Sequence, residues 1–330
     1  MNHIKWPEIT SFHNVRKLLM TYPELLGSVL EVSYRAKIKL HGTNAAVQLL
    51  SGDVVQAQSR TNLITVGDDN AGFARWVETN KNHWLKNRPL DREVIVFGEW
   101  CGPGVQKGVA ISQAPNKIFV VFAAQDLSDQ ENLIVEPQEL EALTREIPDV
   151  YVLPWYGEPI TVAWLNEAER LQPVVEEINS RVELIEKCDP WVKSVFGVEG
   201  LGEGLVFYPL THLGRKSFSD LCFKAKGEKH KTVNVKAPAQ VNPEAASSAA
   251  AFAELVLTEA RLEQGARAIV PNGELVFDLK TIGKFLGWVG QDVSKECQAE
   301  LEASNLEWKI ASRAINDKAR AWYLNRCKTL

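Results

Sequence analysis

Apolar and polar residues alternate through much of the first two thirds of the chain, which is the period of a β-strand buried on one face. The clearest case runs from Val32 to Leu40, where every second residue is apolar and Arg35, Lys37 and Lys39 share the opposite face. Ser51-Gly52-Asp53 indicates a hairpin turn between two later strands. Further strands are predicted at residues 45–50, 54–58, 94–97, 118–123, 205–208 and 221–226.

Helical spacing interrupts this pattern early and replaces it near the C-terminus. Apolar residues at helical spacing predict one helix between Phe73 and Trp84, and acidic stretches predict surface helices at 136–146 and 167–186. Beyond residue 248 the period is helical throughout, and it ends in one long amphipathic run from Asp292 toward Arg326.

Residues 237–248 separate the strand-rich part from the helical part. Proline, alanine and serine replace the alternating pattern there, which is typical of a linker. We therefore predict a first domain at residues 1–236 and an all-helical C-terminal domain at residues 249–330.

The bulk charge of the chain argues against a protein that coats nucleic acid. The net charge is -5 and the pI is near 5.8, so any contact with nucleic acid must come from a local patch. One such patch lies between Arg215 and Lys236, where seven Lys or Arg residues accompany only two acidic residues.

The five cysteines are scattered and never form a Cys-x-x-Cys pair, which fits neither a disulfide framework nor a zinc site. A reducing compartment is therefore expected. No stretch has the length and apolar character of a signal peptide or a membrane span. We expect a cytoplasmic protein with no membrane partner, and no feature indicates an obligate protein partner.

A lysine followed by a glycine turn stands at the end of the first alternating strand, in Lys39-Leu40-His41-Gly42-Thr43-Asn44. Like charges about 7 Å apart on alternate strand positions disfavour full protonation, and a lysine must lose its proton before it attacks a substrate. Lys39 is therefore a candidate nucleophile that can hold a nucleotide covalently. The alternative is a solvated basic strand beside a turn, and this motif alone does not decide between them.

Five further segments follow Lys39 in an order that resembles the motifs of the covalent nucleotidyltransferases, the superfamily of ATP-dependent ligases and GTP-dependent mRNA capping enzymes. A single motif is a weak signal, whereas six in order are a strong one. The five segments are Ser59-Arg60-Thr61, Val96-Phe97-Gly98-Glu99-Trp100, Lys117-Ile118-Phe119-Val120-Val121-Phe122, Glu203-Gly204-Leu205-Val206 and Phe223-Lys224-Ala225-Lys226.

Three features make the chain most similar to the nick-sealing RNA ligase 2 family. His41 fills the third position of the lysine motif and Thr43-Asn44 follow it, as in that family. The run from Gly98 to Gly108 resembles the family's extended motif III. The tail is helical, whereas a DNA ligase or capping enzyme would continue into a β-barrel OB domain. The resemblance implies an α+β fold, with a nucleotidyltransferase domain of mainly antiparallel sheets and flanking helices before a small all-helical domain.

The resemblance also implies a role for each motif residue. Lys39 would carry AMP as a lysyl adduct, and Glu203 would help to hold Mg²⁺, with Mn²⁺ as a substitute. Lys224 and Lys226 alternate onto one strand face, which gives two ammonium groups a common target, the α-phosphate of ATP. The nucleotide-binding residues implied are Ile38, Asn44, Arg60, Glu99, Phe119, Lys224 and Lys226.

Phe119 and Phe122 both offer a flat apolar wall for adenine. Because they are three residues apart on a strand they face opposite ways, so one can stack on the base while the other packs in the core. Motif alignment favours Phe119 as the stacking residue.

The expected function is that of an ATP-dependent RNA ligase that joins a 3′-hydroxyl to a 5′-phosphate, at a nick in duplex RNA. The basic stretch from Lys224 to Lys236 and the helical tail are the expected RNA-binding surfaces. Three alternatives stay open, namely a GTP-dependent capping-type guanylyltransferase, an ATP-dependent DNA ligase and a catalytically inert RNA-binding module of the same fold. The missing OB-like strands disfavour the first two, and the retained lysines and glutamates of the motifs disfavour the third.

Overall fold

Strands fill most of the first two thirds of the chain, and helices fill the last third. The structure is a computed structural model that describes residues 2–129, 133–210, 215–227, 249–270, 275, 277–304 and 306–328. The strands are β1 (Thr10–Ser11), β2 (Val32–Lys39), β3 (Thr43–Leu50), β4 (Val54–Ser59), β5 (Val94–Cys101), β6 (Ile118–Asp126), β7 (Leu133–Ile134), β8 (Val150–Val152), β9 (Tyr156–Val162), β10 (Gly204–Pro209) and β11 (Phe223–Lys226). The α-helices are α1 (Phe12–Thr21), α2 (Phe73–Thr79), α3 (Lys81–Asn87), α4 (Pro137–Leu143), α5 (Ala168–Lys187), α6 (Pro190–Phe196), α7 (Arg215–Leu221), α8 (Ala249–Val256), α9 (Glu259–Ala268), α10 (Ile282–Glu296), α11 (Gln298–Ala303) and α12 (Trp308–Lys328). Short 3₁₀ helices lie at Pro23–Leu26, Ala110–Gln113 and Leu279–Thr281. The α+β class is confirmed.

Two mainly antiparallel sheets form the strand-rich part. One orders its strands β1-β11-β10-β2-β9, and the other orders them β4-β3-β5-β6-β7 with β8 beside β6. The chain crosses from the first sheet to the second between β2 and β3. The lysine-glycine segment from Lys39 to Asn44 therefore lies where the two sheets meet.

Apolar residues are buried on both faces of each sheet. A core that includes Phe97 and Tyr208 lies between the sheets. Two outer cores pack α1 and α5 against the five-stranded sheet and α2 to α4 against the six-stranded sheet. The alternation of β2 explains its position, because Tyr34 and Ile38 enter an outer core while Lys37 reaches backbone carbonyls of the other sheet.

The predicted strands are confirmed, most of them longer by one to four residues. The predicted hairpin between β3 and β4 is confirmed as well, with both Gly52 (φ +70°) and Asp53 (φ +58°) in the left-handed region that a tight hairpin turn requires. The single helix predicted between Phe73 and Trp84 is instead two helices, α2 and α3. They meet at Asn80, whose side-chain amide donates a hydrogen bond to the carbonyl of Trp76 at 2.9 Å and so competes with the continuing helix.

The long amphipathic run predicted from residue 292 to 326 is likewise divided, among the end of α10, α11 and α12. A continuous helix of that length would extend about 50 Å and could not bury its apolar side against its own start. The breaks allow α12 to pack on α8 and α10 around a separate core that includes Phe285, Val289 and Tyr323. The predicted linker at 237–248 lies outside the described residues. Among the helices of the described ranges, none is both long and apolar enough to cross a membrane.

Candidate active site

Lys39 is the last residue of β2 and faces the space between the two sheets at their junction. It is paired in register with Gly204 of β10, and its side chain is about a quarter exposed. Three residues later, Gly42 passes so close to β5 that a Cβ atom at this position would lie 2.4 Å from the carbonyl oxygen of Trp100. Only glycine allows this approach, so the glycine of the motif lets the segment lie against the second sheet beside the lysine.

Glu203 is the centre of a charged cluster around Lys39. One of its carboxylate oxygens accepts a hydrogen bond from Lys39 Nζ at 2.7 Å and lies 3.4 Å from His41 Nδ1, and the other lies 3.4 Å from Lys226 Nζ. Glu203 is only 4% exposed, and burial alone would raise its pKa, but Lys39 and Lys226 hold the pKa well below its ordinary value. The side chain is therefore an ionised carboxylate that lies close to nitrogen atoms of Lys39, His41 and Lys226.

The pKa of Lys39 is raised, whereas the sequence led us to expect a lowered pKa. Burial lowers this pKa, but the carboxylates of Glu203 and Glu99 more than offset burial, so it lies above the ordinary value of 10.5. The lowered pKa belongs to Lys37, two residues earlier, which is fully buried and has a pKa of about 7 because of burial, with a smaller contribution from Arg35. The sequence expectation considered only the cations that share one face of β2. It did not include the carboxylates of Glu99, on β5, and Glu203, directly before β10, which lie close to Lys39 in the folded chain.

Glu99 is a second carboxylate in the same place. It accepts a hydrogen bond from the backbone N–H of Gly42 at 3.0 Å, and so ties β5 to the lysine motif. Burial raises its pKa to about 7 against the opposing effect of Lys39, and the nearby charge of Glu203 adds to the rise. Glu99 therefore lies in the cleft beside the lysine motif, and its charge changes near neutral pH.

The two lysines of β11 have different partners. Lys226 lies beside Glu203, whereas Lys224 Nζ lies 3.2 Å from a carboxylate oxygen of Glu296, at the end of helix α10. Burial lowers the pKa of Lys224, and Glu296 acts in the opposite direction. A second ion pair, between Lys295 and Glu8, joins the same end of α10 to the N-terminal segment. Helix α10 thus contributes a carboxylate to the rim of the site.

A cavity of about 340 Å³, which we call the cleft, opens beside Lys39. It brings together six of the predicted residues: Ile38, Lys39, Asn44, Arg60, Glu99 and Lys224. Glu203 and Lys226 contact this group through Lys39 and through each other. Trp6, Glu8 and Tyr208 also line the cleft, and sequence reasoning missed them because none belongs to a recognised motif.

Phe119 is the one predicted residue that the structure contradicts. It is fully buried in the outer core of the six-stranded sheet, against Phe73 and Trp76, and it does not line the cleft. Gly98 makes room for its ring, because a Cβ atom there would lie 2.6 Å from Phe119. Phe122 lines the cleft instead, with its ring 5.4 Å from that of Trp6. The prediction that the two rings face opposite ways is confirmed, and the ring that faces the cleft is Phe122, not Phe119.

The sequence model of the RNA ligase family matches residues 33–226, which include β2 except its first residue, all of β11 and every motif described above. The site is thus that of a ligase of the nucleotidyltransferase type, with a lysine at the mouth of a pocket and carboxylates and lysines around it. The chain belongs to the RNA ligase family.

Solved structures of an RNA ligase from Naegleria gruberi are similar to part of this chain. The protein with PPi is 18% identical, with a TM-score of 0.44 over 68% of this chain and 56% of that one. A mutant with ATP and Mn has the same values, and a mutant with AMP and Mn is 19% identical with a TM-score of 0.43 over the same shares. The chain therefore spans little more than half the length of these proteins. No curated protein matches it.

Proposed function

We propose that this chain is an ATP-dependent RNA ligase that joins a 3′-hydroxyl to a 5′-phosphate through a lysyl-AMP intermediate, and that it seals nicks in duplex RNA. One observation carries the proposal: Lys39 lies 2.7 Å from the buried Glu203 at the edge of a cavity of about 340 Å³. That volume falls within the range of small-ligand pockets. Family membership supports the RNA ligase class, and the arrangement of charges supports the covalent route.

In the first step, Lys39 Nζ attacks the α-phosphorus of ATP. A bond forms between nitrogen and phosphorus as the bond to pyrophosphate breaks, and pyrophosphate leaves. The attacking form is the neutral amine, and Glu203 favours the ammonium form. The adduct should therefore form faster as the pH rises above neutral, because more of Lys39 is then neutral. Glu203 also fixes where Nζ lies, which reduces the entropy cost of attack.

The residues around Lys39 suit the three parts of ATP. We assign the adenine to the face of Phe122, and the ribose to Glu99 and Arg60. Lys224 and Lys226 carry the positive charge that the phosphates need as negative charge develops on the leaving group. Asn44 adds an amide near the same oxygens.

Mg²⁺ fits this set of residues only when it shares its coordination with phosphate and water. Among the described residues, no group of three or more His, Cys, Asp or Glu side chains could hold a metal by itself. A magnesium ion in phosphoryl transfer uses one or two carboxylates together with the substrate phosphates. We assign that role to Glu203, with Glu99 next to it. When bound, the ion would neutralise charge on the phosphates.

The remaining two steps transfer AMP from the lysine and then release it. The RNA 5′-phosphate attacks the lysyl-AMP phosphorus, which frees Lys39 and forms a pyrophosphate bridge between RNA and AMP. The 3′-hydroxyl then attacks the RNA phosphorus, a phosphodiester forms and AMP leaves. Both ends must be held together, and we propose that the helices from residue 249 onward form a separate domain that does so. The basic stretch proposed for the same role lies largely outside the described residues.

Labelling with α-³²P ATP and Mg²⁺ tests the first step. Wild-type protein should retain label after denaturation, Lys39→Ala should retain none, and Lys86→Ala, which removes an exposed lysine outside the cleft, should match the wild type. Label on Lys39→Ala would overturn the assignment of the nucleophile. Stronger labelling with α-³²P GTP would favour a capping-type enzyme. Sealing of nicked RNA against nicked DNA duplexes then tests the choice of polynucleotide.

A further inference from the structure

Helix α12 is strongly basic in a chain whose net charge is -5. It contains six Lys or Arg residues and a single acid, Asp317. Two of these cations are paired, Lys318 with Glu254 and Arg326 with Glu259. Lys309, Arg313 and Arg320 have no acidic partner among the residues that the structure describes.

Three of the other cations form a stripe along one face of α12. Lys309, Arg313 and Arg320 follow each other at spacings of four and seven residues, which brings them to the same side of a helix. All three are exposed, and none forms an ion pair or a side-chain hydrogen bond within the described ranges. The stripe is a row of free positive charge, available to a polyanion.

A groove of about 490 Å³ runs beside this stripe, between α10 and α12, and we call it the tail groove. Trp308, Asn316 and Arg320 line it from α12, and Gly287 and Gly290 line it from α10. Its lining contains no acidic residue. An aromatic ring, an amide and a guanidinium therefore face one open space next to free cations.

Gly287 and Gly290 leave backbone exposed on the α10 side of the tail groove, beside the side chains of Leu286, Gln291 and Ser294. A Cβ atom at Gly287 or Gly290 would meet no other atom within 4 Å, so packing within the chain does not require glycine at either position. A glycine inside a helix destabilises that helix relative to alanine. Their effect is to keep the groove wide enough for a flat group beside Trp308.

We propose that the tail groove binds single-stranded RNA, with one unstacked base against Trp308 and neighbouring phosphates on Lys309, Arg313 and Arg320. Single-stranded nucleic acid is recognised by this combination of an aromatic ring, an arginine plane and a basic track. An acidic peptide would need the cations but not the indole. The proposal rests on the proposed function and adds to it that the ligase substrate carries a single-stranded segment beside the nicked duplex.

The test measures binding of a fluorescein-labelled decauridylate to the full chain by anisotropy. Gly290→Leu fills the groove and suits a helix, and we expect it to weaken binding about tenfold, the size of one lost base stack. Gly283→Leu is the matched control, because Gly283 is also open and in α10 but does not line the groove. The control should bind as the wild type does.

A second experiment tests the contribution of the positive charges to RNA binding, with Arg313 and Arg320 both replaced by glutamine. Loss of two phosphate contacts should reduce the slope of log Kd against log salt by about 1.4. Arg267→Gln, which removes a cation already paired with Glu263 on α9, should leave the slope unchanged. Circular dichroism melting of each variant checks that the helices are intact.

Unchanged decauridylate binding by Gly290→Leu and by the double arginine variant would overturn this proposal and leave the groove to another partner, such as an acidic protein segment. ATP labelling of the same variants separates this outcome from failure of the proposed function. All of them should label as the wild type does, because the groove lies outside the cleft. If the groove variants bind RNA more weakly but the wild-type protein never forms the AMP adduct, the result would support RNA binding in the tail groove and overturn the ligase mechanism.

Discussion

The cleft around Lys39 and the tail groove both collect cations, but they hold them in opposite ways. In the cleft, Lys39 and Lys226 share the buried Glu203 and Lys224 is paired with Glu296. At the tail groove, Arg320 in the lining and Arg313 on the adjacent stripe are exposed and have no carboxylate partner in the described part of the chain. The cations of the cleft are therefore balanced by carboxylates of the chain itself, whereas the cations at the tail groove keep their positive charge.

The difference follows from what each site would have to do. A buried lysine costs several kcal/mol unless a counter-charge comes with it, so a pocket that positions atoms for chemistry must supply its own carboxylates. An exposed cation carries no such cost and attracts phosphate over a distance of about 10 Å at ordinary salt. We therefore expect changes in the cleft to be large and insensitive to salt, and changes in the groove to be smaller and salt-dependent.

The largest expected effect comes from removing the shared charge of the cleft. Glu203→Gln keeps the shape of the side chain but leaves Lys39 and Lys226 without their carboxylate. Although this change also favours the neutral amine, it removes the carboxylate assigned to Mg²⁺ and to the positioning of Nζ, so we expect adduct formation to fall about 10³-fold, as for loss of a preorganised group. Glu199→Gln, an exposed carboxylate paired with Lys193 at 2.6 Å, should have no effect. Single-turnover labelling measures both, and a loss below fivefold would contradict the role given to Glu203.

Lys37 is the exception within the sheets, because it is a buried cation held by the backbone carbonyls of Phe122 and Val135 instead of a carboxylate. The unfolded chain keeps this proton up to pH 10.5, whereas the folded chain releases it near its pKa of about 7. Between these values the unfolded state binds more protons, so wild-type stability should rise with pH. At roughly 1.4 kcal/mol per pH unit, the gain relative to Lys37→Met is about 3 kcal/mol from pH 7 to 9.5.

Urea unfolding at several pH values measures this gain. Lys86→Met is the control, because that side chain is 72% exposed in the folded chain. If the free energy of unfolding changes with pH in the same way for the wild type and Lys37→Met, the prediction is wrong, because Lys37 then stays charged in the folded chain.

The third prediction separates a cleft aromatic from a core aromatic. Phe122→Leu should raise the KM for ATP about tenfold, because leucine cannot stack on a base. Phe119→Leu should leave the KM unchanged and lower the free energy of unfolding by about 1 kcal/mol, as a swap of similar volume in a core does. Adduct kinetics and thermal melts distinguish the two, and the reverse pattern would restore Phe119 as the stacking residue.

The smallest expected effect tests the contact between the two regions. Glu296 competes with phosphate for Lys224, so Glu296→Gln should tighten ATP binding about threefold, the size of a partly exposed ion pair. Glu263→Gln, in an ordinary pair with Arg267 on α9, is the control. Isothermal titration with ATP and Mg²⁺ measures the change. Weaker binding by Glu296→Gln would mean that the carboxylate positions Lys224 for the nucleotide.

Much of this molecule could be predicted from local pattern. The alternation from Val32 to Leu40 predicted a strand with its cations on one side, and the glycine after Lys39 predicted the turn that joins the sheets. The motif order predicted six residues that line the cleft and two, Glu203 and Lys226, that contact them, but it also included Phe119. That error has a physical cause: residues three apart on a strand face opposite ways, and a sequence does not say which face is covered by α2 and α3.

The sequence by itself determined the candidate nucleophile, the α+β class and the family, because those depend on residue types at fixed spacings. Only the tertiary structure decided the charges around Lys39 and the ring that faces the cleft. It also decided the carboxylate that α10 brings to Lys224, from 72 residues further along the chain. Electrostatic interactions depend on distance in space, and a chain folded into two sheets and a helical tail brings together groups whose separation in sequence says nothing about that distance.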